Sequence, residues 1–202
     1  MEQSLEEFYN KYKGKIQITE GNCGNLKEQQ DELIRLCKQI NPKSILEIGF
    51  NAGHSSELFL KYSNAYIVSF DIGDHFDEYL KYGKAFLNQK YPSRHTLVFG
   101  DSTKTIPRFS NNHKEAKFDL IFIDGGHDYE VANADIINCS YLAHKDTIVV
   151  VDDIVKNNSW DRGYTVGPKR AWQEAISNGL VTEMESFDWA PGRGMCIGKY
   201  NV

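Results

Sequence analysis

The fold is decided by Ser44-Ile45-Leu46-Glu47-Ile48-Gly49-Phe50-Asn51-Ala52-Gly53-His54-Ser55. The segment opens as a short apolar run, turns at Gly49 and Gly53, and continues with the helical periodicity of 54–62. A strand that is apolar without strict alternation is one covered on both faces, as in a parallel sheet. Glycines at a strand-to-helix turn let the backbone come close to a ligand, and the helix beyond offers free N–H groups. The spacing is GxxxG rather than the GxGxxG of a pyrophosphate-binding turn, which argues against a nicotinamide dehydrogenase. A loop of this kind suits the amino-acid end of a nucleoside-bearing ligand. A tight turn serving the fold alone is the competing explanation.

Outward from this unit the pattern repeats. Apolar runs at 66–70, 96–99, 119–123 and 147–151 alternate with helical stretches at 76–88, 103–109 and 129–142. Leu26, Leu33, Leu36, Cys37 and Ile40 form an apolar helical stripe ahead of the first strand. A further helix is expected to start at Gly167-Pro168, with proline at its first position, where a missing N–H costs nothing. The chain closes with two strand-like segments, 180–187 and 195–200, joined through Trp189-Ala190-Pro191-Gly192. Five βα units and a terminal hairpin predict an α/β, doubly wound, Rossmann-like sheet with helices on both faces.

In such a sheet, ligands bind beyond the carboxyl ends of the strands, and acidic residues collect there. Asp71 ends the second strand, about 20 residues past the glycine loop, where a carboxylate accepts hydrogen bonds from ribose hydroxyls. Asp101, in Gly100-Asp101-Ser102 after the third strand, is placed to meet an adenine amino group. Either Asp is also a natural helix N-cap. The fourth strand ends in Asp124-Gly125-Gly126-His127 and the fifth in Asp152-Asp153. Three crowded carboxylates repel one another unless a cation lies among them, and hard oxygen donors favour Mg²⁺, Mn²⁺ or Ca²⁺. The alternative is one helix cap with two solvated acids. His127 has an ordinary pKa near ~6.5 and can accept a proton at neutral pH.

The 202 residues suit a single domain (1–202, with 1–25 as an N-terminal extension), 41% apolar and 25% charged. A formal net charge of −5 disfavours sequence-independent nucleic-acid binding. Cys23, Cys37, Cys139 and Cys196 lack metal-ligand spacing and read as reduced, buried thiols. The charged N-terminus has no signal-peptide core, and no apolar run approaches the ~20 residues of a membrane span. A cytoplasmic protein without a membrane partner is expected.

Taken together, Leu46–Gly53, Asp71, Gly100–Ser102, Ile123–His127 and Val151–Asp153 resemble the class I S-adenosylmethionine-dependent methyltransferases. Within them the chain looks most like the metal-dependent O-methyltransferases: the catechol type, those acting on antibiotic sugars and macrolides, and cephalosporin-biosynthesis relatives. The similarity runs over about residues 20–200. It implies a seven-stranded sheet of order 3-2-1-4-5-7-6 with the last strand antiparallel. It implies further that Glu47, Gly49, Asn51 and Gly53 line the methionine end of the cofactor, that Asp71 holds the ribose, and that Asp101 and Ser102 flank the adenine. Asp124, Asp152 and Asp153 match the metal-ligand positions, Asp153 standing where catechol-type enzymes often have Asn. His127 falls where relatives place a catalytic Lys or His.

The expected activity is methyl transfer from S-adenosylmethionine to a hydroxyl of a small molecule, assisted by Mg²⁺ or a similar ion. A metal-independent methyltransferase acting on another oxygen or on nitrogen, and a non-catalytic S-adenosylmethionine-binding module, are the competing readings. Trp160, Tyr164, Trp189 and Arg193 are candidates for the acceptor pocket or for ordinary loop packing. The shortness of the N-terminal extension leaves a monomer and a homodimer both open.

Overall fold

The computed structural model describes residues 3–12, 15–19 and 22–202. Positions 1, 2, 13, 14, 20 and 21 of the expected N-terminal extension lie outside that set. The apolar runs form β1 (Ser44–Ile48), β2 (Tyr66–Asp71), β3 (His95–Phe99), β4 (Phe118–Ile123) and β5 (Ala143–Asp152). The terminal hairpin is β6 (Val181–Ala190) and β7 (Arg193–Tyr200). They make one seven-stranded sheet, ordered β3-β2-β1-β4-β5-β7-β6. Strands β1 to β5 pair in parallel, and β7 runs antiparallel to both β5 and β6. The helices are α1 (Leu5–Lys11), α2 (Lys27–Ile40), α3 (His54–Tyr62), α4 (Lys81–Lys90), α5 (Ser102–Asn112), α6 (Tyr129–Ser140) and α7 (Gly163–Ser177).

Successive strand residues point to opposite faces, so an unbroken apolar strand feeds two cores. Ile45, Ile67, Leu120 and Phe122 pack with side chains of α1, α2, α3 and α4. Leu46, Val68, Ile121 and Ile123 pack with those of α5, α6 and α7. All four cysteines are buried and free, filling space as small hydrophobes. Among the described residues, no helix is long and apolar enough to cross a membrane.

Three local features depart from expectation. Helix α1 was not anticipated, although Ser4 and Glu7 form a reciprocal capping box at its start. The helix expected over 76–88 opens with a wide π turn at Phe76–Leu80 before α4. Helix α7 begins at Gly163, not at Gly167-Pro168. The Thr165 hydroxyl accepts from the Arg162 N–H and starts the helix a turn earlier, leaving Pro168 inside it at the expense of one helical hydrogen bond.

The register fixes what meets at the carboxyl edge. Ile48 lies opposite Phe70 on one side and Ile123 on the other, and Ile123 lies opposite Val151. One residue further on, Asp71, Gly49, Asp124 and Asp152 therefore stand in a row, with neighbouring strands about 4.8 Å apart. Met195 pairs with Asp152, so Arg193 at the start of β7 reaches the same edge.

Candidate functional site

A cavity of about 740 Å³ opens along this edge. At one end it is lined by Asn51, Asp71, Ile72, His75, Asp101 and Ser102, at the other by Asp124, His127, Asp152, Asp153, Tyr164 and Arg193. Gly49 lies between the two ends. Its φ is +89°, and a Cβ there would come within 1.8 Å of the Asp124 carbonyl oxygen. Only glycine lets the loop after β1 pass so close to the acidic end of β4.

Asp71 fastens that loop. One carboxylate oxygen accepts from the Asn51 N–H at 2.9 Å and the other from the Gly73 N–H at 2.8 Å. Each oxygen keeps acceptor capacity toward the cavity, since a carboxylate has about four lone-pair sites. Asp101 lines the cavity, but its carboxylate is engaged as the N-cap of α5. It accepts from the Thr103 N–H and hydroxyl and pairs with Lys104 at 2.7 Å. Adenine recognition by this carboxylate would have to share oxygens that already serve the cap. Ser102 lines the cavity beside it.

Two expected cofactor residues do not line the cavity. Glu47 is fully buried beneath the loop, where its carboxylate accepts from the hydroxyls of Ser55, Ser56 and Ser69. Burial raises its pKa, against which the three hydroxyls pull. Its place in the first strand points it into the core between sheet and helix, so it supports the loop from behind. Gly53 likewise acts through the backbone: it is the left-handed N-cap of α3 at φ +88°, and a Cβ would press on the Phe50 ring at 2.9 Å.

The acidic end divides in two. Ligand atoms of Asp124, His127 and Asp153 all lie within 4.8 Å of one another, while Asp152 belongs to a separate hydrogen-bonded chain. His127 Nε2 is 2.9 Å from Asp153 Oδ2. Asp153 adopts φ +57°, a left-handed conformation Asp tolerates, at the turn that brings its carboxylate to His127. Burial first, and then the charges of Asp152 and Asp153, push Asp124 well above the ordinary carboxylate range. Asp152 is raised to about 7 by burial and then by Asp153. Such mutual repulsion is what a divalent cation relieves. Ligand atoms that lie within 4.8 Å of one another can all reach a single ion, since donors on opposite sides of a cation at about 2.4 Å are about that far apart. The donor set therefore fits a hard divalent cation, with Asp124 and Asp153 as oxygen ligands and His127 within reach.

The opposite wall is held rigidly. The Gly192 N–H donates to the Trp160 carbonyl at 2.8 Å, and the Tyr164 hydroxyl donates to the Gly192 carbonyl at 3.1 Å. Lys169, buried, donates to Asn158 and Asp161 and clamps the same loop. Tyr164 and Arg193 line the cavity, while Trp160 and Trp189 do not. Sequence reasoning missed Asn22, Ile72 and His75 on the cavity wall and Gln29 behind it. Gln29 had a visible signal: it falls between Leu26 and Leu33 on the apolar stripe of α2, where a polar residue needs a buried partner.

A doubly wound seven-stranded sheet of this order, with a cavity at its carboxyl edge running from a glycine loop to an acidic cluster, defines the Rossmann-like methyltransferase fold. The sequence profile of the methyltransferase-domain family matches residues 46–154, from β1 to just past β5, and the chain belongs to that family. Among solved structures, the O-methyltransferase from Bacillus cereus in complex with SAH superposes with a TM-score of 0.76 at 17% identity, covering 98% of this chain and 90% of that one. SAH-bound PaMTH1, a methyltransferase of Podospora anserina, gives 0.72 at 16% identity, covering 100% and 89%. The O-methyltransferase TomG from Streptomyces achromogenes, involved in tomaymycin synthesis and solved with SAM, gives 0.69 at 19% identity, covering 87% and 80%. At these identities the likeness is one of fold. No curated protein sequence matches.

Proposed function

We propose that this chain is one cytoplasmic methyltransferase domain, spanning residues 1–202, that moves a methyl group from S-adenosylmethionine to a small-molecule hydroxyl with the help of a divalent cation. One observation carries the reading: a single cavity joins the glycine loop and Asp71 to the Asp124–His127–Asp153 cluster. Cofactor and acceptor would thus meet across Gly49. The fold neighbours solved with SAH or SAM, two of them O-methyltransferases, support the choice of donor.

S-adenosylmethionine supplies an electrophilic methyl on a positively charged sulfur, and a divalent cation supplies Lewis acidity that lowers the pKa of a hydroxyl. The rest falls to the protein. Asp71 accepts from ribose hydroxyls while holding Asn51. Asp124 and Asp153 hold the cation. His127 takes the acceptor proton on Nδ1, while its Nε2–H donates to Asp153, which orients the imidazole and stabilises the imidazolium that forms. Gly125 and Gly126 let the loop that carries His127 pack closely on Ile48 and Val131, where a Cβ would press at 2.8 and 2.7 Å. The fixed wall at Tyr164 and Arg193 aligns the acceptor, so that proximity does much of the catalytic work.

The His127–Asp153 pair also favours a second reading, a metal-independent transfer to oxygen or nitrogen in which the dyad alone moves the proton. Calorimetric titration with S-adenosylhomocysteine, with Mg²⁺ and again with EDTA, followed by turnover on a panel of hydroxyl acceptors, tests both. Binding with EDTA-sensitive turnover supports the first reading, and EDTA-resistant turnover the second. Absence of binding in either condition sinks both.

A further inference from the structure

Gln29 of α2 is 1% exposed, and both ends of its amide are engaged at the edge of the cavity. Its Nε2 donates to Asp152 Oδ2, and its Oε1 accepts from Arg193 Nη2 at 3.0 Å. The amide can take only this orientation. Turned over, it would face a carboxylate with its oxygen and a guanidinium with its NH₂, opposing like ends on both sides. A second, longer contact, from Arg193 Nη2 to the Asn22 carbonyl at 3.4 Å, holds the guanidinium from the same side. Among the described residues, Arg193 is the only Arg or Lys lining the cavity. Its charge is felt at both Asp124 and Asp152.

A guanidinium beside three carboxylates is drawn toward them. Arg matches carboxylate geometry with two parallel hydrogen bonds, and a direct pair with Asp152 or Asp124 would place a positive charge where a metal ion would sit. The inserted amide prevents that pair. Resting on the cation-assisted reading above, we infer that Gln29 is a positioning residue: it spaces Arg193 from Asp152 and so keeps the acidic cluster open to a divalent cation. Asp152 anchors the spacer, which accounts for its separation from the Asp124–His127–Asp153 group.

The test is Mn²⁺ affinity of the purified full chain, read by the electron paramagnetic resonance signal of free Mn²⁺. Gln29→Met, which keeps the volume, and Gln29→Ala are each expected to weaken binding about tenfold or more, the usual size of an outer-shell effect. Arg193→Met alone should bind at least as tightly as wild type. The double variants, Gln29→Met or Gln29→Ala with Arg193→Met, should return to within about threefold of wild type, because removal of the guanidinium makes its spacer unnecessary. Two results would overturn the inference while leaving the cation reading intact: single variants that bind as wild type, or double variants as weak as the single ones. If the wild type binds no Mn²⁺, the cation reading and this inference fall together.

Discussion

Gly49 and Asp124 lie back to back at the ends of adjacent parallel strands, so close that a methyl group at position 49 would overlap the Asp124 carbonyl at 1.8 Å. The glycine loop and the acidic strand end are therefore one mechanical unit. Gly49→Ala meets both this overlap and a φ of +89°. It should cost at least about 1–3 kcal/mol of stability and abolish S-adenosylhomocysteine binding. Thermal unfolding and calorimetry on one preparation check both effects, and wild-type-like affinity would show that the loop can shift without losing the ligand.

His127→Ala should lower turnover by about 10²–10⁴-fold, the usual weight of a general base, with cofactor affinity nearly unchanged. Asp153→Asn, which keeps the shape but not the charge beside Nε2, should fall between the two. Steady-state kinetics across pH separate these outcomes. A His127→Ala variant as active as wild type would remove the proposed base.

Helix α1 bears on the glycine loop from behind. The Tyr9 hydroxyl reaches the Ala52 carbonyl at 3.0 Å and the Tyr79 carbonyl at 3.1 Å. The backbone of Leu5 and the side chain of Lys90 share the Glu57 carboxylate. Tyr9→Phe should destabilise the protein by about 1 kcal/mol and weaken cofactor binding, since the one hydroxyl proton shared between two buried carbonyls is lost. A melting temperature and affinity equal to wild type would mean that α1 only covers the core.

His95 gives a pH signature. Burial, and then Lys84, depress its pKa to about 4, while its Nε2 faces Ser69 and through it Glu47. An unfolded chain takes up this proton near pH 6.5, whereas the folded chain takes it up only near pH 4. The neutral imidazole's contribution is therefore fully present above pH 6.5 and is lost as pH falls toward 4, at about 1.4 kcal/mol per pH unit once the unfolded imidazole is protonated. Urea unfolding of wild type and His95→Gln over this range should show the variant losing less stability on acidification. Parallel curves would mean that His95 is protonated in the fold.

Much of this was legible along the chain. The apolar runs, the turn at Gly49 and the hairpin turn at Pro191-Gly192 are local signals, because backbone conformation and strand burial follow from nearest neighbours and side-chain period. So were the acids at the ends of β2, β4 and β5, since the carboxyl edge of a parallel sheet is where such residues collect. The capping box at Ser4 and Glu7 is an equally local signal, carried by the Ser-x-x-Glu spacing.

Local pattern along the chain is enough for the doubly wound α/β architecture and for the roll of residues at the carboxyl edge. The tertiary structure alone decided which of them act together. Glu47 and Asp71 stand on the same face of the sheet, Glu47 opposite Ser69 and Asp71 two residues beyond it, yet one is sealed among three serines and the other lines the cavity, because only Asp71 reaches the carboxyl edge. Asp152 and Asp153 are adjacent in sequence, yet one joins Gln29 and the other His127. Gln29 lies 123 positions from Asp152, and Arg193 lies 164 from Gln29. Separations of that length leave no trace in local pattern: the contacts exist only because packing α2 and β7 against the end of β5 brings three distant polar groups into one buried chain.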